Sequence, residues 1–289
     1  MRLVQTLVDC DKDRAESALP AELREMYDGD LRFGASSARR PYVIANFVST
    51  LDGVVSYAIK GKSSGSAISG SNPADRFIMG LLRASADAVM VGAGTLQDAG
   101  ANSLWTPEYV YPDAKRLYAE YRIDALHKPE YPLLVIVSGG GKLDLERAIF
   151  KTSAMRTVVV TTPAGGDELT RRGAATLSSI EVLALNSSSG RIDPLAILEL
   201  LQAQYGVNTL LHEGGPTLFG QFLAAEAVDE LFLTLSPQIA GRSGDSARPA
   251  IVQGVEFVPE SAPRLQMLSA KANAAYLYLR YRRNLPRWR

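Results

Sequence analysis

The segment that most constrains the fold is a glycine turn that joins an apolar strand to an amphipathic helix. Val207 to Leu211 is a short, β-branched apolar run, typical of a buried strand. His212-Glu213-Gly214-Gly215-Pro216 follows, and the proline suits the first position of a helix. The apolar face of that helix would hold Leu218, Phe219, Phe222 and Leu223. Glycines admit a ligand close to the backbone, and free amides at a helix start attract anions, so the turn suits phosphate binding as well as a plain structural connection.

A second glycine turn occurs much earlier in the chain. Ala88 to Val91 is a continuous apolar strand, and Gly92-Ala93-Gly94-Thr95 follows it directly. No third glycine follows Gly94, which disfavours the standard dinucleotide fingerprint. Two turns far apart in sequence predict a cofactor that is held from two sides by different strand ends. Glu213 would repel a phosphate, so we expect it to contact an uncharged part of a bound molecule, and we expect His212 to be structural.

Alternating strand and helix signals determine the fold class that we predict. The expected strands are Tyr42–Val48, Ala88–Val91, Leu133–Val137, Thr157–Thr161, Ile180–Ala184 and Val207–Leu211. Asn72-Pro73 and Asp193-Pro194 each read as a cap followed by an N1 proline. The expected core-facing residues of these two helices are Phe77, Ile78, Leu81 and Leu82 in the first and Leu195, Ile197, Leu198 and Leu201 in the second. Leu231–Leu235 and Ala274–Tyr281 lack a helix between them and are expected to pair antiparallel. We therefore predict an α/β fold with an open, mostly parallel sheet, flanking helices and an antiparallel C-terminal edge.

The remaining segments have weaker signals. Asp11 to Glu25 predicts one amphipathic helix, and Gly34 to Arg40 has the composition of a linker. The hydroxyl-rich Ser63–Gly70 is expected either to fold over a substrate or merely to connect its neighbours. Residues 100–131, rich in Tyr and Pro, are expected to form an irregular insertion that covers a cleft.

Composition excludes several classes of protein. The 31 basic and 31 acidic residues give no electrostatic footprint for nucleic acid. No apolar run reaches about 18 residues, and Asp9 and Asp11 interrupt any signal-peptide core, so we expect neither a membrane span nor a leader. The single cysteine, Cys10, forbids an intrachain disulfide and fits the cytoplasm. Two histidines and one cysteine are too few for most zinc sites, so no metal is expected.

Polar residues end the first strand of the alternating region. The carboxyl end of this apolar run contains polar residues, namely Asn46, Thr50 and Asp52. Open α/β sheets bind ligands at the carboxyl ends of their strands. The alternative is a simple reversal of the chain at Asp52-Gly53.

Four groups of residues, in this order, carry a family resemblance. They are Ser49-Thr50-Leu51-Asp52-Gly53, the run from Leu82 to Ala88 that leads to Val91-Gly92-Ala93-Gly94-Thr95, Glu213 to Leu218, and Val228 to Leu231 followed by Ser236-Pro237 and Gly241. Together they resemble the reductase half of the bifunctional riboflavin-pathway deaminase–reductase, a relative of dihydrofolate reductase. The resemblance covers residues 41–282 and implies a reductase domain there. The sequence pattern outside that range predicts an N-terminal helical extension and linker at 1–40 and a tail at 283–289. No deaminase motif stands in the first forty residues.

The resemblance also implies residue roles. It implies that NADPH binds and that hydride passes to C1′ of a ring-opened ribose phosphate on an aminouracil, as in 5-amino-6-(5-phosphoribosylamino)uracil. The matching cofactor positions are Val48, Gly92, Gly94, Thr95, Ser138, Gly214, Gly215, Pro216, Thr217, Leu218, Phe219, Gly220 and Gln221. The matching substrate positions are Asn46, Asp52, Arg83 and Glu213, of which Glu213 and Asp52 are expected to be catalytic. Arg83 is expected to anchor a phosphate, the alternative being an arginine that caps carbonyls at a helix end.

The chain departs from the family pattern at two places. Many members have a tryptophan where Ala67 precedes Ile68-Ser69, and a second phosphate-site arginine where residues 98–105 contain none. A dihydropterin-type reductase and a non-catalytic nucleotide-binding protein therefore stay open. The resemblance implies a homodimer as well. We expect the dimer interface to bury the strands near Leu231 and Tyr276, because the pattern places them at the sheet edge, which is unlikely to stay bare.

Overall fold

The computed structural model describes residues 2–11, 18–59, 64–152, 155–174, 180–188 and 190–283. Its strands are β1 (Gln5–Asp9), β2 (Tyr42–Thr50), β3 (Ala88–Gly92), β4 (Leu133–Val137), β5 (Thr157–Thr161), β6 (Ile180–Ala184), β7 (Ser187–Ser188), β8 (Arg191–Ile192), β9 (Thr209–His212), β10 (Glu230–Ser236), β11 (Leu265–Asn273) and β12 (Tyr276–Arg283). Its α-helices are α1 (Ala21–Tyr27), α2 (Ser64–Ser69), α3 (Pro73–Ser85), α4 (Ala93–Asp98), α5 (Pro107–Val110), α6 (Lys115–Glu120), α7 (Ala148–Lys151), α8 (Pro163–Arg171), α9 (Pro194–Tyr205) and α10 (Pro216–Ala224).

A ten-stranded sheet in the order β1-β11-β12-β10-β2-β9-β3-β4-β5-β6 organises the molecule. Neighbouring strands from β10 to β6 run parallel. β12, β11 and β1 are added antiparallel beside β10. The predicted fold class is confirmed: the sheet is mostly parallel, helices flank it, and its C-terminal edge is antiparallel.

Two apolar layers cover the sheet. Ile44 and Phe232 point into the layer that contains α3, which we call the first face. Ala45 and Phe47 point into the layer that contains α9 and α10, the second face. The chain leaves β2 for α3 on the first face and leaves β9 for α10 on the second. A crevice at the carboxyl ends of β2 and β9 follows from this divergence, as it does at the switch point of other open sheets.

Local sequence signals explain the two well-predicted helices. The Asn72 side chain accepts hydrogen bonds from the amides of Ala74 and Asp75 and so caps α3. Asp193 caps α9 through the amide of Leu195. The predicted core residues of α3 are buried, and so are Ile197, Leu198 and Leu201 of α9. The prediction for Leu195 is wrong: its side chain is 46% exposed, because it lies in the first turn on the solvent side.

The N-terminal segment differs from the prediction. A helix was expected over Asp11–Glu25; residues 12–17 lie outside the described part, and the helix found is α1, from Ala21 to Tyr27. β1 was not predicted, and it pairs with β11 at the sheet edge. The other missed strand, β11, lies between β1 and β12. The strands near Leu231 and Tyr276 are therefore interior, and the expectation that they form a bare edge is wrong.

The insertion at 100–131 is helical rather than irregular. It holds α5, a 3₁₀ turn at Pro112–Ala114, α6 and a π-helical turn at Tyr121–Ala125. Tyr118 is buried and donates its hydroxyl to the carbonyl of Phe77 in α3. A Cβ atom at Gly80 would lie 2.7 Å from the Tyr118 hydroxyl, so glycine allows this close packing. The insertion is thus part of the first-face core.

The hydroxyl-rich segment at 63–70 is ordered in its described part. Ser63 lies outside that part, and α2 occupies Ser64–Ser69. Gln238 donates to the carbonyl of Ile68, and Tyr276 donates to the carbonyl of Ser69. A Cβ atom at Gly65 would lie 3.9 Å from Val48 Cγ1, so α2 lies over the end of β2. In this structure the segment covers the strand rather than serving as a loose connector.

Candidate functional site

Three neighbouring strand ends build the candidate site. His212 is the register partner of Ala45 on one side and of Met90 on the other. Asn46 and Glu213 each follow one step later, at the same level of the sheet. Side chains alternate along a strand, so Asn46 and Glu213 point to the first face while His212 points to the second. Val48, two residues beyond Asn46, shares its face.

The two glycine turns meet at this edge. A Cβ atom at Gly215 would lie 3.2 Å from Thr95 Oγ1, and one at Gly92 would lie 3.7 Å from Leu218 Cδ2. The two turns lie far apart in sequence, yet they share one wall of the crevice. Gly94 is exposed, and a Cβ atom there would meet no protein atom within 4 Å. The edge therefore combines exposed backbone with open space, which suits a nucleotide cofactor.

His212 packs against the second glycine turn from the second face of the sheet. It is buried among Phe47, Phe219 and Phe222, and its Nδ1 accepts a hydrogen bond of 3.2 Å from the amide of Gly214. A Cβ atom at Gly214 would lie 2.8 Å from His212 Cε1, so a side chain there would displace the ring. Burial lowers the pKa of His212 to about 4, which keeps the imidazole neutral. The geometry agrees with the structural role expected for this histidine.

Arg83 and Glu213 form a buried ion pair on the first face. Arg83 Nη2 lies 2.7 Å from Glu213 Oε2, and Nε lies 3.0 Å from Oε1. The two side chains are only 6% and 8% exposed. Arg83 Nη1 donates to the carbonyls of Thr106 and Leu104 in the insertion. The pair thus fixes the Glu213 carboxylate, and the insertion closes over it.

This pairing bears on both expectations for Arg83. Capping of the carbonyls at the end of α3 is wrong for Arg83, because its carbonyl partners lie in the insertion. The capping arginine is Arg122, whose Nη1 donates to the carbonyls of Arg83, Ala84 and Ala86. Burial lowers the pKa of Arg122 to about 10, so it stays charged. The donors of Arg83 that a phosphate would use are held by Glu213 in this structure.

Asp52 lies two residues beyond β2 and contacts a different part of the molecule. Its carboxylate accepts from the Thr50 hydroxyl and from the amides of Ala240 and Gly241. These hydrogen bonds lower the pKa of Asp52 to about 2, so the exposed carboxylate is ionised. Gly53 has a φ of +79° and donates its amide to the Thr50 carbonyl, which completes a turn. Asp52 therefore joins the reversal at the end of β2 to the loop after β10, apart from the Arg83–Glu213 pair.

The other residues predicted to bind the cofactor differ in how exposed they are to solvent. Thr217 is exposed, whereas Pro216, Leu218 and Gln221 are partly buried. Phe219 is buried in the second-face core, and a Cβ atom at Gly220 would lie 2.6 Å from the carbonyl oxygen of Gln253. Ser138 is buried just beyond β4, where its carbonyl accepts the Thr161 hydroxyl. Phe219 and Gly220 thus pack against protein, and Thr217 is the exposed residue of this segment.

A buried carboxyl group that the sequence analysis missed belongs to the same region. Asp75, in the first turn of α3, is 8% exposed and hydrogen-bonds to Ser69 and Thr234. Burial raises the pKa of Asp75 to about 6, and the nearby charge of Glu213 makes a smaller contribution to this increase. An acidic residue behind an Asn-Pro cap is common at a helix start, so its sequence signal was hidden by that ordinary role.

Two features are absent from the described residues. No helix in that part of the chain is long and apolar enough to cross a membrane. Over the same residues, no group of three or more His, Cys, Asp or Glu side chains is arranged to hold a metal ion.

Comparison with known proteins gives consistent matches. The family model described as the RibD C-terminal domain matches residues 41–279. A 2,5-diamino-6-ribosylamino-4(3H)-pyrimidinone 5′-phosphate reductase of Archaeoglobus fulgidus is 30% identical over 220 residues, 76% of this chain and 89% of the relative. Its counterpart in Methanothermobacter thermautotrophicus is 30% identical over 228 residues, 79% and 90% of the two chains. The crystal structure of a pyrimidine reductase-like protein of Corynebacterium diphtheriae has a TM-score of 0.64 at 21% identity, covering 85% of this chain and 92% of that one, which supports the fold.

Proposed function

Because the chain belongs to the RibD C-terminal domain family, we propose that it is an NADPH-dependent reductase of a ribosylamino-pyrimidine 5′-phosphate in riboflavin biosynthesis. Two relatives that span most of its length bear the name of such a reductase. The single observation that carries the proposal is the meeting of the two glycine turns beside the buried Glu213. A cofactor site and an orienting carboxylate then adjoin at one strand edge.

The proposed cofactor residues are those implied by the resemblance, centred on Gly92, Gly94, Thr95 and the turn from Gly214 to Gln221. When bound, the dihydronicotinamide supplies the hydride. The exposed backbone at Gly94 supports close approach of the pyrophosphate, and Val48 and Ser138 would contact the cofactor further along the edge. The preference for NADPH over NADH rests on the family, since no residue is assigned to the 2′-phosphate.

The proposed substrate residues are Asn46, Asp52, Arg83 and Glu213. Glu213 would bind hydroxyl or amino groups of the substrate next to the nicotinamide, and Arg83 would hold that carboxylate in place. Asp52 was expected to orient the substrate ring or to relay a proton. Its ionised state supports the orienting role, because a carboxylate with a pKa of about 2 holds no proton to give near neutral pH.

A cofactor and substrate titration tests the proposal. Purified protein is mixed with NADPH or NADH, and binding is followed by cofactor fluorescence. Turnover is then followed by loss of dihydronicotinamide absorbance with the diaminopyrimidinone or the aminouracil ribosyl phosphate. We expect turnover with NADPH and weaker binding of NADH. Equal affinity would remove the preference, and binding of neither cofactor would contradict the reductase function.

One observation favours a second candidate, a dihydropterin-type reductase. The donors of Arg83 are held by Glu213, and no arginine occurs at 98–105 to replace it as a phosphate anchor. A carboxylate facing a pterin ring is what such a substrate needs, and Glu213 or Asp52 would supply it. Turnover of dihydrofolate, with none of either ribosyl phosphate, would favour this candidate. A non-catalytic nucleotide-binding protein would bind NADPH and turn over none of the three.

Assembly, compartment and domain limits complete the proposal. We expect a homodimer; in the described part of the chain, β1 is the outermost strand on that side of the sheet, and Leu7 on it is 55% exposed. Light scattering at micromolar concentration tests this expectation.

The exposed, free Cys10 supports a reducing compartment such as the cytoplasm. The reductase domain is proposed at 41–282, the N-terminal extension at 1–40 and the tail at 283–289, of which 284–289 lie outside the described residues.

A further inference from the structure

Asp75 lies on the wall of the candidate site. It is eight residues before Arg83 on α3, so the two Cα atoms are about 12 Å apart along the helix axis. α3 runs antiparallel to β2 and β3, so Asp75 is the nearer of the two to the carboxyl ends of the strands. Its hydroxyl partner Thr234 is the register partner of Val48 in β2. Asp75 therefore borders the first-face side of the crevice, where Asn46 and Val48 point.

Groups from every neighbouring element surround this carboxyl. Ser69 of α2 and Thr234 of β10 hydrogen-bond to it, and Arg76 of its own helix attracts its charge. Glu213 opposes its ionisation, and Asp75 in turn raises the pKa of Tyr278 in β12. Glu213 has Arg83 as its partner, so the two carboxyl groups of this face have different surroundings. Such a division is how active sites assign one carboxyl to hold charge and another to hold a proton.

Resting on the proposed reductase function, we propose that Asp75 is the carboxyl group that donates the proton consumed in the reaction. As the C1′–O4′ bond of the ribosylamine breaks, its electron pair moves onto O4′, which takes the proton of Asp75. C1′ then receives hydride from the dihydronicotinamide, which is oxidised to nicotinamide. Water returns a proton to the Asp75 carboxylate. Glu213 keeps its ion pair with Arg83 and orients the substrate.

The protonation equilibrium of Asp75 suits this step. A general acid works best when its pKa is near the working pH, and burial raises the pKa of Asp75 to about 6. Asp52, at about 2, and the buried, neutral His212, which points to the second face, do not meet that condition.

Asp75→Asn is the decisive variant, with Asp193→Asn as its matched control. Both changes replace one carboxylate by an amide in the first turn region of a helix, and Asn is an equally good cap at 193. We expect Asp75→Asn to lower kcat by about 100-fold and to leave the Kd for NADPH, measured by fluorescence, within about 3-fold. The wild-type kcat should fall as pH rises through the pKa of Asp75. This descending limb of the pH–kcat profile should be missing in Asp75→Asn. The control should keep both the wild-type kcat and the descending limb.

Thr234→Val tests the same step without removing the carboxyl. Loss of the Thr234 hydroxyl destabilises the ionised form of Asp75, so its pKa should rise. The kcat limb and the pH midpoint of the Asp75 carboxyl carbon signal in NMR should both move to higher pH. This variant keeps the proposal testable if Asp75→Asn does not fold.

The outcomes separate the two proposals. An active wild-type protein whose Asp75→Asn variant keeps kcat and the pH limb would overturn the role of Asp75 alone. So would a Thr234→Val variant in which the NMR midpoint moves but the kcat limb does not. A wild-type protein that binds NADPH yet reduces no ribosylamino-pyrimidine phosphate would overturn the proposed function and this step with it.

Discussion

Arg83 and Glu213, 130 residues apart in sequence, are joined by a hydrogen-bonded ion pair of 2.7 Å that links α3 to the turn after β9. Both side chains are almost completely buried, so neither charge is solvated if its partner is removed. The pair connects the insertion to the site as well, because Arg83 also donates to the Thr106 carbonyl. A substitution at either residue therefore affects the orientation of the other.

The first prediction concerns this coupling. Glu213→Gln should lower kcat while leaving the Kd for NADPH within a few-fold, because the amide cannot orient the substrate as the carboxylate does. Arg83→Ala should destabilise the fold by about 3–5 kcal/mol, because it leaves Glu213 as a buried, unpaired carboxylate. Urea denaturation measures the stability, and fluorescence titration measures the affinity. If Glu213→Gln abolished NADPH binding in a folded protein, the carboxylate would belong to the cofactor site.

The double variant Arg83→Met with Glu213→Leu is the control for charge. Replacing a buried pair by apolar residues of similar size is often close to neutral for stability. We expect the double variant to recover most of the stability that Arg83→Ala loses, and to stay inactive. Recovery of activity would mean that the pair is only structural. If instead Arg83→Ala raised the KM for a phosphorylated substrate at unchanged stability, Arg83 would act as the phosphate anchor.

The second prediction concerns the open space beside Gly94. A methyl group at Gly94 meets no protein atom, so Gly94→Ala should keep the stability of the free protein. If the space belongs to the cofactor, the variant should weaken NADPH binding by about 10-fold or more. Gly244→Ala is the matched control, since that glycine is also open and has no positive φ. Unchanged NADPH affinity in Gly94→Ala would move the cofactor away from this turn.

Local patterns predicted the parallel part of the sheet well. β4 and β5 have the predicted bounds, because strands buried on both faces are continuous apolar runs. β6 also has the predicted bounds, although it is a half-buried strand at the edge of the sheet. β1 and β11 were missed because they pair at the exposed antiparallel edge. Leu265–Asn273 mixes polar and apolar residues, and its burial depends on partners far away in sequence.

The site was predictable in position and only partly in chemistry. Parallel strands bring their carboxyl ends to one edge, which is why Asn46, Glu213 and the glycine turns adjoin. Which side chain takes which partner depends on long-range packing. The pairing of Arg83 with Glu213 and the burial of Asp75 under Ser69 follow from the way α2, α3 and the insertion close over the sheet. No spacing within one segment contains that information.

The third prediction separates the roles of Asp52. Its carboxylate holds the amides of Ala240 and Gly241, and an Asn side chain keeps one oxygen acceptor for them. If Asp52 orients the substrate and the loop, Asp52→Asn should keep kcat within a few-fold and raise KM. Asp52→Ala should lower both kcat and the resistance of the 240–241 loop to limited proteolysis. A large loss of kcat in Asp52→Asn at unchanged KM would instead indicate proton transfer by Asp52.

The last prediction concerns stability against pH and compares His212 with Asp75. Burial lowers the pKa of His212 from 6.5 to about 4, so below 6.5 the unfolded chain takes up a proton that the folded protein does not. Acidification from 6.5 to 4 therefore destabilises the fold through His212. Burial raises the pKa of Asp75 from 3.8 to about 6, so in the folded protein it keeps a proton that the unfolded chain has lost. Acidification from 6 to 4 stabilises the fold through Asp75.

These two contributions oppose each other within one pH window, and each amounts to about 2–3 kcal/mol. We expect Asp75→Asn to lose stability more steeply than the wild type on going from pH 6 to pH 4, because only the His212 contribution remains. His212→Asn, which keeps an acceptor for the Gly214 amide, should lose stability less steeply than the wild type over the same range, whatever its baseline stability. Urea denaturation of the three proteins at matched pH values gives the slopes, and the other carboxyl groups cancel in the differences. Parallel curves for wild type and Asp75→Asn would show that Asp75 titrates as an ordinary, solvated aspartate, and would remove the basis for its role as a proton donor.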